Sequence, residues 1–81
     1  MEEKIIETLR EVPGLRLREI AMYLRCNRFG LLNPIDKLLK AGRITTVTVE
    51  NFVQGEFYVK YYLVEDAPPV KVIHTTENLD Y

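Results

Sequence analysis

The chain has 81 residues, enough for one small domain, and 47% of them are hydrophobic, so a folded core is feasible and general disorder is disfavoured. Eleven basic residues against twelve acidic leave a net charge of −1, which argues against nucleic-acid binding by bulk charge. One cysteine, Cys26, excludes an internal disulfide, and one histidine, His74, leaves too few donors for a Cys/His zinc site. No apolar run approaches the ~20 residues that cross a bilayer. Met-Glu-Glu-Lys at the start has no apolar segment behind it, so the expected location is cytoplasmic.

In chain order, Glu2 to Val12 reads as a first helix. Ile5, Leu9 and Val12 recur at i, i+4 and i+7, Glu2 and Glu3 suit the positive helix start, and Pro13-Gly14 ends it. Leu15 to Leu17 is a short extended link. Leu17, Ile20, Ala21 and Leu24 then form one apolar helical face, which stops at Arg25-Cys26-Asn27-Arg28. Leu31, Ile35 and Leu38 form the next stripe, and Gly42 follows as a helix stop. Pro34 inside a helix would cost about 3 kcal/mol. The sequence therefore predicts a helix from Pro34 to Ala41 with Asn33 as N-cap. Residues 28–32 are left as an extended turn or one loose helical turn.

Ile44 to Val64 alternates with period two around a turn containing Gly55. Odd-numbered residues are apolar on both strands. The sequence therefore predicts a three-residue loop, Val53-Gln54-Gly55, pairing Phe52 with Glu56, Val49 with Val59 and Val47 with Tyr61. Gly55 takes the left-handed position, and Tyr58 and Tyr62 share the outer face. Glu65 to Pro69 closes the domain at residues 1–64. Residues 65–81 form an extended tail in which Val70 to Ile73 can make a short strand. Such a tail can add to the sheet edge, exchange with a partner chain or stay unpaired. His74 reads as incidental.

The run E-I-A-x-x-L, a turn, then L-x-x-x-I-D-K-L-x-K-A-G-R-I resembles the winged helix-turn-helix superfamily of DNA-binding domains over roughly residues 2–64. The resemblance implies an α+β fold of three helices followed by a two-stranded β-hairpin wing, with the 15–17 link able to pair with the wing as a third strand. Arg16 stands where that family often has a Ser or Thr cap. Leu32-Asn33-Pro34 stands where its recognition helix usually shows polar residues.

Charge is unevenly spread. Arg16, Arg18, Arg25, Arg28, Lys37, Lys40 and Arg43 face only Glu19 and Asp36 in the helical middle of the chain, whereas the residues after Arg43 are acidic. Phosphate contact depends on such local patches, although solvated helix surfaces look the same in sequence. The leading expectation is a DNA-binding transcriptional regulator, acting as a dimer on double-stranded DNA. Arg28 and Asn33 would sit at base edges or backbone, and Lys37, Lys40 and Arg43 on phosphates, flanked by Arg16 and Arg18. The alternative is a winged module for protein contact through Phe29, Leu32, Tyr58 and Tyr62, because apolar residues occupy the turn and the hairpin tip is acidic and aromatic. Exposure of Phe29 and Leu32 favours the second. Their burial, with the basic residues on one face, favours the first. No cofactor or metal is expected. Serine is absent and Cys26 has only His74 as a base, so the chain reads as non-enzymatic.

Overall fold

A computed structural model describes residues 1–51, 53 and 55–75. The fold is α+β: α1 (Glu2–Glu11), α2 (Leu17–Leu24) and α3 (Leu32–Lys40) precede β1 (Ile44–Asn51), β2 (Glu56–Leu63) and β3 (Val72–Thr75). A 3₁₀ turn, Arg28–Leu31, runs directly into α3.

The helical stripes converge. Ile5, Ile6 and Leu9 of α1, Ile20 and Ala21 of α2, and Leu31, Ile35 and Leu38 of the third helical segment are all buried in one cluster. Ile44 and Leu63 close it from the sheet, and Leu17, Leu24 and Tyr61 pack at its margin. Spacing of 3.6 residues was sufficient to identify these faces. Gly42, at φ +72, ends α3 as expected of a left-handed stop.

The start of α3 differs from expectation. The helix begins at Leu32, so Asn33 lies in its first turn and is not its cap. α3 has no side-chain cap of its own; Asn27 caps the 3₁₀ turn that leads into it, its Oδ1 accepting from the Phe29 N–H at 2.9 Å. Pro34 is tolerated two residues further in than predicted because first-turn amides have no intrahelical acceptor to lose.

Antiparallel β1 and β2 pair Ile44 with Leu63, Val47 with Lys60, Thr48 with Val59, Val49 with Tyr58 and Asn51 with Glu56. This register is offset by one residue from the predicted one, and the connection is four residues, 52–55. Phe52 and Gln54 lie outside the described residues. Gly55 does take the left-handed conformation, at φ +66. The parity argument failed because it assumed one buried face along the whole hairpin. Ile44 is buried under the helices, whereas Val47, Val49 and Asn51 are buried on the opposite face, outside the helical cluster. On β2 the odd-numbered Phe57 and Val59 are left 62% and 38% exposed.

Val72–Thr75 adds to the other edge of β1 as a parallel strand, giving a three-stranded mixed sheet in the order β2-β1-β3. The two-stranded hairpin thus gains a third strand, one of the fates open to the tail, and that strand spans 72–75 where 70–73 was foreseen. The Thr48 N–H donates to the Lys71 carbonyl at 2.9 Å, and the Lys71 ammonium donates to Thr45 Oγ1 at 3.1 Å. His74 is not incidental, since its Nδ1 lies 3.0 Å from a Glu50 carboxylate oxygen, across the β1–β3 pair. Residues 76–81, the rest of the expected tail, lie outside the described residues.

The link between α1 and α2 pairs with β2. The Gly14 N–H donates to the Tyr61 carbonyl at 3.0 Å, and the Tyr61 N–H donates to the Leu15 carbonyl at 2.8 Å. Gly14 has φ +82, and a Cβ there would stand 2.8 Å from the Tyr62 hydroxyl oxygen. At the end of α2, Arg25 takes the same left-handed region, at φ 52, with a side chain that disfavours it. Thermal unfolding should therefore move in opposite directions for two substitutions. Gly14→Ala should lose about 1–2 kcal/mol and Arg25→Gly should gain about 0.5–1 kcal/mol, each kcal/mol being worth ~4–8 °C at this size.

Candidate interaction groove

Three parts of the chain meet around one groove of ≈ 360 Å³. It is lined by Arg16, Leu17 and Arg18 at the start of α2, by Arg28, Phe29 and Leu32 at the turn into α3, and by Tyr58, Val59 and Tyr61 of β2. The lining has three arginines and no carboxylate. Its remaining side chains are apolar or aromatic, so a site of this composition favours an apolar group with negative charge around it.

Local structure explains each placement. The 3₁₀ turn buries Leu31 in the core and, by its tight pitch, turns Phe29 and Leu32 outward. Phe29 is 67% exposed and Leu32 51%. The Arg28 guanidinium carbon lies 5.4 Å from the centre of the Phe29 ring. Arg16 precedes α2, where its backbone N–H donates to the Glu19 carboxylate at 2.9 Å, the reciprocal half of a capping box. Its side chain lies 3.5 Å from the same carboxylate, and its guanidinium carbon is 4.8 Å from the centre of the Tyr58 ring. Lys60 reaches that ring at 5.9 Å. Burial, the only resolved influence on Tyr61, pushes its hydroxyl above the usual tyrosine range.

The expected site residues are thus only partly gathered. Arg16, Arg18 and Arg28 share the groove. Asn33, Lys37 and Lys40 are exposed on α3, opposite its buried stripe of Leu31, Ile35 and Leu38, but Lys40 is paired with Asp36 at 2.9 Å. Arg43 lies elsewhere, beside Ile6 and Arg10 of α1. Tyr58 and Tyr62 lie on one face of β2 as expected, but Tyr62 packs on Gly14 while Tyr58 sits under Arg16. Sequence reasoning missed Leu17, Val59 and Tyr61 as lining residues. Leu17 and Tyr61 read as core, and the predicted register hid Val59 in the hairpin interior.

Among the described residues, no cluster of three or more His, Cys, Asp or Glu is arranged to hold a metal ion, and no helix is long and apolar enough to cross a membrane. In comparisons with known proteins, no family model, curated protein or solved structure matches the chain.

Two stability measurements check this geometry. Phe29→Asp and Leu32→Asp should each change unfolding free energy by no more than about 0.5 kcal/mol, whereas Leu31→Ala between them should cost about 2–5 kcal/mol. Denaturant titration separates these outcomes. Tyr61 sets a second expectation. Its proton is lost at lower pH in the unfolded chain than in the folded one, so its contribution is constant below about pH 10. Above that, stability falls as pH rises. Tyr61→Phe should flatten that part of the alkaline stability curve.

Proposed function

We propose that the chain is a winged-helix module used for protein contact, with the groove between the helical turn and β2 as its docking surface. The observation that carries this reading is the exposure of Phe29 and Leu32 at an apolar groove, where folding alone would favour polar side chains. Apolar and aromatic anchors seated in pockets dominate protein interfaces, and charged rims set orientation and encounter rate. Here Arg16, Arg18 and Arg28 form the charged rim, so the partner is acidic around an apolar anchor.

A second reading, a DNA-binding regulator, is favoured by the convergence of those same three arginines beside α3, with Asn33 and Lys37 outward on that helix. On duplex DNA, the arginines and Lys37 would neutralise phosphates and Asn33 would reach a base edge or a phosphate. Against it stand the Asp36–Lys40 pair, the separation of Arg43 from the groove, and the acidic Glu56 at the start of β2.

Selection from a displayed random-peptide library, run beside a titration of random duplex DNA at two salt concentrations, separates the two. Protein contact predicts that the wild-type chain enriches acidic peptides with an apolar anchor and that the Phe29→Asp, Leu32→Asp double variant does not. No enrichment, together with duplex binding that falls steeply with salt and is lost in Arg28→Glu, would transfer the assignment to DNA.

A further inference from the structure

We infer that the edge of β2 at Val59 accepts an extended acidic peptide as an added strand, with one apolar side chain of that peptide seated between Phe29 and Val59. The inference rests on the protein-contact reading above and adds the mode of binding and the chemistry of the partner.

The direction of the backbone groups carries it. In an antiparallel ladder, residues two apart send their N–H and C=O groups to the same side. Tyr61 sends both away from β1, to Leu15 and Gly14. Val59, two residues earlier in a continuous register, therefore also points both groups away from β1. The partner strand gives an independent check. Thr48, opposite Val59, donates its N–H to Lys71 on the far side of β1, as a pair that exchanges no hydrogen bonds across the ladder requires. Among the described residues, the segment that pairs with this edge of β2 stops at Leu15, because Arg16 turns away into α2. Beyond Tyr61, the Val59 groups thus face outward beside the groove. Exposed edges of this kind pair readily with another extended chain.

The side chains around the edge define the occupant. A strand laid there alternates its side chains between the two sheet faces. One set enters the groove against Leu17, Phe29, Leu32 and Val59. Arg16, Arg18 and Arg28 stand around that opening, Arg16 already paired with Glu19, and no carboxylate lines the groove itself. Lys60 and Arg16 also meet over Tyr58 on the other face. Glu19 and Glu56 balance those two cations on that face, so the preference for aspartate or glutamate beside an apolar residue comes from Arg18 and Arg28 on the groove side.

The test uses the full chain and a synthetic peptide of alternating aspartate and valine with one central phenylalanine, followed by amide NMR. Val59→Pro deletes the outward N–H without touching the β1–β2 ladder, so the sheet should persist. Val59→Thr keeps that N–H and serves as control. The expected result is perturbation and slowed exchange of the Val59 amide in wild type, binding about tenfold or more weaker in Val59→Pro, and little change in Val59→Thr. The same peptide N-methylated at alternate amides should lose binding in one of its two phasings, which keeps the test valid if Val59→Pro unfolds. Wild-type affinity in both Val59→Pro and the N-methylated peptides, with loss in Phe29→Asp, would overturn strand addition while leaving groove docking intact. Binding unaffected by any of these changes, or no binding at all, would overturn both. Peptide-independent dimerisation abolished by Val59→Pro would make a second copy the occupant and overturn the acidic-peptide proposal.

Discussion

Two backbone hydrogen bonds, between Tyr61 and the Gly14-Leu15 segment, determine how the helices sit on the sheet. They fasten the link before α2 to the middle of β2, so α2 starts over the sheet edge. The Tyr61 ring then lies at the margin of the core with its hydroxyl partly withdrawn from water. Gly14 is required there twice over, by its backbone angle and by the nearness of Tyr62. The groove is a consequence. Its walls are whatever α2, the 3₁₀ turn and β2 present where that bridge ends.

The helical half was legible from the sequence because one physical rule governed it. Apolar residues at 3.6 spacing had a single place to go, and Ile5, Leu9, Ile20, Leu31, Ile35 and Leu38 all went there. The hairpin obeyed two rules at once. Ile44 and Leu63 belong to the helical core, whereas Val47 and Val49 are buried on the other face, and a parity argument cannot show where burial changes sides. The strand that completes the sheet on the other edge of β1, β3, follows a double proline that reads as the end of a domain. Its pairing with β1 is long-range, set by contacts such as Thr48 to Lys71 that leave no local pattern. Asn33 illustrates a smaller version of the difficulty. Asn33 could have capped α3, but Leu31 enters the core through a 3₁₀ turn capped by Asn27, and α3 continues from that turn without a side-chain cap.

Charge in the helical middle was visible in the sequence, but its distribution in space was not. Seven cations sharing one face would have made a phosphate-binding surface. In the fold, three gather at the groove, one of them paired to Glu19, one more is paired to Asp36 and one joins Arg10 by α1. Exposed pairs such as Asp36–Lys40 contribute little to stability, typically under about 1 kcal/mol, but they do reduce the positive field available to a polyanion. Concentration of Arg16, Arg18 and Arg28 around an apolar lining therefore favours a ligand that is acidic in places and apolar in one.

The apolar character of Phe29 and Leu32 has no explanation in folding. Leu31 between them is fully buried and supplies the contact that the turn needs with the core. Pro34 is accommodated by its place in the first turn of α3, whatever side chain stands at Leu32. Polar residues at both positions would keep the helix, the turn and the cap at Asn27, and would spare the chain the exposure of two large hydrophobic groups. Their association with the outward-facing backbone of Val59 joins two liabilities at one place. Outward-facing backbone groups at Val59 and an exposed apolar surface each invite unwanted association. On the proposed protein-contact reading, the arginines around them would narrow that invitation to acidic partners, because a neutral or basic chain gains less or is repelled at the same edge.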